Sequence, residues 1–340
     1  MDLQGPVVID LAALVARFEA RVAACAGEAP GSYRRWACPG PGRDLEPNPY
    51  GCADAANLLY TLGLFPLDER ERAVAVAALQ SFQDPVSGFF RESSHHEIHV
   101  TAHCIAALEL FDARPAHALK GLARLEEPGA LEAFLEGLPW RDDPWLASHR
   151  GAGIYAARLL AGEASSSWQE RYFAWLDAAC DPATGLWRRG RLEPPYAWGT
   201  SRFPYLAGSF HYLFNYEHAR RSHPHPAALV DTCLSIFEAG DEWPLGRTVS
   251  FAEVDWVYCL ARALRLSDQR RHDAERALRA FAADYVDFLT QLDWDADDGG
   301  SDLHRIFAAA CALAELQRAL PGLLRTPRPL RLVLDRRPFI

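Results

Sequence analysis

Six stretches of this chain place ionisable or amide side chains at the start of an alanine-rich apolar run. Their polar residues are Asp54 and Asn57; His95, His96, His99 and His103; Ser148 and His149; His211 and Asn215; Glu253 and Asp255; and Asp302 and His304. Histidine titrates near neutrality and can give or take a proton, while a carboxylate orients it or serves as its partner acid or base. A set of this kind points to general acid–base chemistry: hydrolysis, epimerisation or elimination. The expected acid and base groups are His99, His103, His211, Asp255 and His304, with Asp54 and His149 behind them. In the densest piece, HHEIHVTAH, residues His95, His99 and His103 are spaced i, i+4 and i+8. That stripe can bind a metal, and it equally lets a single histidine point inward. It is not the H-E-x-x-H zinc pattern, because His99 follows Glu97 one position too early. No cofactor is required by the pattern. If a divalent ion such as zinc is held, His99, His103, Asp255 and His304 are the expected ligands.

Substrate binding is expected from two long loops. Residues 181–207 hold Trp187, Tyr196, Trp198, Phe203 and Tyr205 beside Arg188, Arg189, Arg191 and Arg202, with only Asp181 and Glu193 as acids. The loop before the first apolar run carries Tyr33, Arg34, Arg35, Trp36 and Tyr50. Aromatic faces stack on sugar rings, and guanidinium forks grip carboxylate or phosphate. Trp36, Trp187, Arg188, Tyr196, Trp198, Arg202 and Tyr205, with Asn57, Asn215 and Trp256 from the apolar runs, are therefore the substrate-binding candidates. The alternative for the aromatics is packing beneath long loops.

The elements that must position these groups are helices. From Asp54 through His99, His149, His211 and Asp255 to His304 the steps are 45, 50, 62, 44 and 49 residues, the loose period of a helical-hairpin array. More amphipathic helices are predicted between the apolar ones, at about 7–25, 69–83, 129–137, 168–179, 226–238 and 269–291. Strand signals are nearly absent, with only RLVLD near the C-terminus reading as extended. The expected class is all-α, with six outer and inner pairs closing into an α/α toroid, or α6/α6 barrel. Closure is preferred over an open solenoid because the first and last pairs are as apolar as the middle ones. Antiparallel pairing would bring every inner-helix N-terminus, and the long loops before them, to one mouth. Residues 1–320 are read as a single toroid domain, and the Pro-rich 321–340 as an extended tail on the barrel exterior.

Composition narrows the partners. A net charge of −10 excludes wholesale neutralisation of phosphates, so nucleic acid and anionic membranes are not expected as partners. No apolar stretch approaches the roughly 18 residues needed to span a bilayer. The N-terminal apolar run lacks a basic flank and is interrupted by Asp10, so it does not read as a secretory signal. The eight cysteines are scattered with no C-x-x-C pair. A cytoplasmic protein with a small-molecule partner is the expectation, and nothing in the pattern specifies an oligomeric state.

Three outer helices end in a shared signature, LQSFQDPVSGFF (79–90), WLDAACDPATGLW (175–187) and FLTQLDWDADDGG (288–300). It resembles the QW-type repeat of terpenoid cyclases and protein prenyltransferase β-subunits, a resemblance that covers most of the chain and implies the toroid of six hairpins. Asp295-Ala296-Asp297-Asp298 matches the D-x-D-D string of alkene-protonating cyclases, but it precedes Gly299-Gly300 and reads as a turn. Asp255 and His304 resemble two of the three prenyltransferase zinc ligands, with Val257 where the third, a cysteine, should stand. No DDxxD cluster appears. The DPATGLW turn is also similar to turns of α-barrel glycoside hydrolases acting on unsaturated uronyl sugars. The leading functional expectation is an acid–base enzyme acting on a polar, sugar-like substrate, with room in the pattern for an anionic group on it. The alternatives are a cyclase or transferase of isoprenoids and a non-catalytic binding toroid.

Overall fold

A computed structural model describes residues 8–190, 192–196, 199–240 and 244–340. The described chain is all-α. In order, its helices are α1 (Ala12–Ala24), α2 (Pro49–Thr61), α3 (Glu69–Gln80), α4 (Glu97–Leu110), α5 (Ala130–Glu136), α6 (Pro144–Ala161), α7 (Ser166–Ala179), α8 (Phe203–His218), α9 (Pro226–Ala239), α10 (Phe251–Ala263), α11 (Arg271–Gln291), α12 (Asp298–Ser301) and α13 (Leu303–Ala319). Most of the predicted helices lie within a few residues of these bounds. The apolar runs beginning at 52 and 208 start earlier as helices, for local reasons. Asn48 accepts a hydrogen bond from the Gly51 N–H with Pro49 at the first helical position, which starts α2 early. Pro204 sits in the first turn of α8, where its missing N–H costs nothing.

The six apolar helices are neighbours in a closed cycle. Helix α2 packs on α4, α4 on α6, α6 on α8, α8 on α10, α10 on α13, and α13 returns to α2. Small residues allow this close approach: a Cβ at Gly208 of α8 would stand 2.8 Å from the Pro144 carbonyl oxygen of α6. The amphipathic helices lie outside, α1 on α2 and α13, α3 on α2 and α4, α9 on α10, and α11 on α9 and α13. A parallel pair of two-residue strands, β1 (Ile9–Asp10) and β2 (Leu324–Arg325), ties the two ends of the described chain together.

Two of the repeated signatures fold into the same turn. In each, the aspartate N–H donates across the turn, Asp84 to Phe89 O at 2.9 Å and Asp181 to Leu186 O at 3.0 Å, while the glycine N–H returns to the aspartate carbonyl at 2.8 and 2.7 Å. Gly88 and Gly185 hold φ of +81° and +70°, which favours glycine. The third signature departs from this turn: Asp293 accepts from the Asp295 and Ala296 N–H groups, and Asp297 caps α12.

The tail differs from expectation. RLVLD is not a strand: residues Val333–Asp335 form a short 3-10 turn that contacts α2 and α8, on opposite sides of the cycle. Val333 and Leu334 are buried there, which favours a compact turn over an extended strand. Residues 337–340 are then buried within the helix cycle instead of lying on its exterior. The Pro338 carbonyl accepts from Asn215 Nδ2 at 2.8 Å, and Phe339 meets the rings of His99 and His211 at 5.1 and 5.6 Å. Among the described residues no helix is long and apolar enough to cross a membrane. All eight cysteines are free thiols.

Candidate active site

The N-terminal ends of the inner helices surround a cavity of about 580 Å³. Histidines 95, 99, 149, 211 and 304 line it, with Arg35, Arg247 and Arg305, Asp297 and Asp298, and the flat faces of Trp145, Phe251 and Phe288. Each histidine reaches it from a different height. His304 stands in the first turn of α13, whose N-cap is Asp302, and His99 in the first turn of α4, which His96 caps through its own ring nitrogen. His149 and His211 lie further along α6 and α8.

Asp54, one turn into α2, is wholly buried beneath this wall. Its Oδ1 accepts from His103 Nε2 at 2.8 Å and from His304 Nδ1 at 2.9 Å. Burial opposes the charge of this carboxylate, but His304 and His103, through charge and hydrogen bonds, outweigh it and hold Asp54 well below the usual carboxylate range. With Nδ1 committed to Asp54, His304 keeps Nε2 as the free nitrogen of a ring that lines the cavity. Burial pulls His103 down to about 4 despite Asp54.

A second group sits beside the first. His99, His149 and His211 come from α4, α6 and α8, and one ring nitrogen of each lies within 4.8 Å of the others. His99 Nδ1 is 2.5 Å from the Tyr50 hydroxyl. His211 Nδ1 is 3.2 Å from the Ala207 carbonyl and 3.1 Å from Ser148 Oγ, which assigns its N–H to Nδ1. Burial, reinforced by the neighbouring imidazoles, holds His99 and His149 well below the usual imidazole range, and burial, with His95 and His304 adding to it, brings His211 down to about 3 against the Ala207 hydrogen bond.

The expected metal set of His99, His103, Asp255 and His304 does not assemble as one site. His99 joins His149 and His211, while His103 and His304 join Asp54. Asp255 is buried on α10, and neither carboxylate oxygen has a hydrogen-bond partner among the described residues; burial, then the charge of Glu253, pushes it well above the ordinary carboxylate range. The zinc arrangement implied by the prenyltransferase resemblance therefore does not fit these residues.

Among the described residues, none of the substrate-binding candidates lines this cavity. Trp187 is buried and donates to Leu176 O at 3.2 Å, and Trp256 donates to Cys233 O at 2.9 Å between Phe237 and Phe281. Tyr205 donates to Arg141 O, Arg202 to Ser235 Oγ, and Arg188 pairs with Asp181 at 3.0 Å. Tyr196 packs edge-on against Tyr205, and Trp36 lies under Arg35 and Arg43. Asn215 bridges Tyr172 and Pro338, and Asn57 is buried with no hydrogen-bond partner for its amide atoms among the described residues. Trp198 lies outside the described residues, as does Arg191. The reason is common to most of them: large rings under long loops bury more apolar area in the core than a solvated mouth offers. In the D-x-D-D string Asp295 and Ala296 lie in a turn, while Asp297 caps and Asp298 opens the four-residue α12; Asp295 pairs with Arg21 and Asp298 with Arg43, and Asp297 and Asp298 border the cavity.

Sequence reasoning named Tyr50 and Arg35 only as loop residues and did not reach Trp145, Arg247 or Arg305. Arg35 makes a two-pronged contact with Asp302 at 2.7 and 2.8 Å, locking the 26–48 loop to the start of α13. Arg247 and Arg305 are exposed at the rim, in positions no periodicity marks. Comparison with family models, with curated proteins and with solved structures finds no match to this chain.

Proposed function

We propose that this protein is an enzyme of general acid–base chemistry acting on a small, polar, anionic substrate of sugar-like size, by hydrolysis, epimerisation or elimination. The observation that carries the reading is His304, a ring in the cavity wall whose Nδ1–H is held by the buried anion Asp54 at 2.9 Å. A carboxylate behind an imidazole selects the tautomer and stabilises the imidazolium formed when Nε2 takes a proton. His304 is then the acid–base residue and Asp54 its positioning partner. Arg247 and Arg305 supply cationic forks at the rim for a carboxylate or phosphate, Arg305 with its Nε 3.7 Å from Asp302, while Arg35 is held by Asp302 through two hydrogen bonds. The volume lies within the range of small-molecule sites. The many polar lining groups favour this reading over an isoprenoid cyclase or transferase, which needs a deep apolar pocket.

Thermal-shift measurement against uronates, sugar phosphates and a prenyl diphosphate tests the substrate class. An anionic sugar should raise the melting temperature, with the gain reduced in Arg247→Ala and Arg305→Ala. NMR of the bound ligand in D₂O should then show C–H exchange or bond cleavage in the wild type that is lost in His304→Ala. Stabilisation by the prenyl diphosphate alone would replace this reading with the isoprenoid one. Binding with neither exchange nor cleavage would leave a binding protein.

A further inference from the structure

We infer that His99, His149 and His211 form a three-histidine site for one divalent transition-metal ion, zinc first among them. Three inner helices each contribute one imidazole, and their nitrogens already lie within 4.8 Å of one another. Tetrahedral coordination at 2.0–2.1 Å needs nitrogens about 3.3 Å apart, so the change required is of the order of an ångström and within reach of ring rotation. Two outer contacts are in place. Tyr50 engages Nδ1 of His99, and the Ala207 carbonyl accepts from Nδ1 of His211, which directs the remaining nitrogen of each ring to the shared point. Independently, His149 is nine-tenths buried, lines the cavity and carries an Nδ1 with no hydrogen-bond partner among the described residues.

The neighbouring trio is a weaker candidate, although Asp54 Oδ2 and His103 Nδ1 have no hydrogen-bond partner among the described residues. Asp54 already accepts from both His103 and His304, so its histidines have N–H groups where a metal needs lone pairs. His99, His149 and His211 have no carboxylate in their group, and neutral imidazoles crowded together gain most from a cation. Their shared cavity leaves a fourth position open to water or to a substrate oxygen. The ion would act there as a Lewis acid or lower the pKa of its bound water. This site does not depend on His304 being the acid–base group, since its ligands and its readout are separate.

The chelator-stripped full chain, titrated with Zn²⁺ by calorimetry, should take up one ion. Co²⁺ in its place should give the intense visible bands of a four-coordinate ion. His149→Ala and His211→Ala should each weaken zinc binding by at least about 100-fold, and Tyr50→Phe by about 10–100-fold. Asp54→Asn should leave zinc binding unchanged. Because a ligand variant can fail to fold, X-ray absorption at the zinc edge of the unmodified protein provides a second readout, with imidazole nitrogens at about 2.0–2.1 Å expected. Absence of saturable binding, absence of imidazole scattering, or loss of binding in Asp54→Asn with retention in His149→Ala would overturn the assignment.

Discussion

Asp54 concentrates the chemistry of the molecule on one oxygen. Two imidazole N–H groups converge on Oδ1, that of His103 at 2.8 Å and that of His304 at 2.9 Å. Replacing it with asparagine retains an acceptor and removes the charge. Asp54→Asn should therefore lower turnover by about 10²–10⁴-fold, the span of an acid–base contribution, with near-ultraviolet circular dichroism unchanged. Truncation to alanine has a different consequence. Both histidines would then lack an acceptor in a buried site, at about 1–3 kcal/mol for each unsatisfied group, so Asp54→Ala should also unfold at lower urea. If turnover in Asp54→Asn matches the wild type, Asp54 has only a structural role and His304 loses its orienting partner.

At the scale of elements, the repeated turns set where the inner helices begin. The DPATGLW turn after α7 is held from outside by His223, whose Nε2–H donates to Gly185 O at 2.9 Å while its Nδ1 accepts from the His225 N–H at 3.0 Å. Accepting at Nδ1 needs the neutral ring. Burial brings His223 down to about 4 against the Gly185 hydrogen bond, whereas the unfolded chain protonates it near 6.5. Between those values the unfolded state binds the extra proton, so stability is full above about pH 6.5 and falls as the pH drops toward 4. The loss is up to about 1.4 kcal/mol per pH unit from this residue. Urea unfolding at pH 7 and pH 5 should show that loss, and His223→Gln should flatten part of the slope. An unchanged slope in the variant would remove His223 from the acid sensitivity.

At the scale of the whole molecule, the helix cycle is filled by its own tail. The 3-10 turn at Val333–Asp335 spans from α2 to α8, and Phe339 forms part of the floor under His99 and His211. Phe339→Ala removes a wholly buried ring and should cost about 3–5 kcal/mol in urea unfolding. Arg337 is wholly buried too, yet its guanidinium nitrogens have no hydrogen-bond partner among the described residues, and it stacks over Phe307 at 5.4 Å. Burial pulls this arginine down to about 10. A buried unpaired charge opposes folding, so Arg337→Met should melt at the same temperature as the wild type or higher. A large drop in Arg337→Met would mean that the charge, and not the apolar stem, anchors the tail. The two variants together separate filling by volume from filling by charge.

Local pattern determined the helices, the alternation of amphipathic and apolar segments, and the placement of Asp54, His99, His103, His149, His211 and His304 on the inner helices, because each is set by spacing of a few residues along one helix; with α8 starting at Phe203, His211 lies in mid-helix and not near its N-terminus. Partner choice among those residues was decided only in three dimensions. Whether His103 faces Asp54 or His99 depends on the rotation of α4 against α2 and α6, to which a period of 3.6 residues is blind. The same holds for Asp255, a helical neighbour of Glu253 that no histidine meets, and for the aromatic loops that turn into the core. The tail's burial also rests on contacts more than 100 residues apart in sequence, such as Asn215 with Pro338. Long-range packing chooses among faces that local periodicity makes equally available, and here it selected which imidazoles share a cavity.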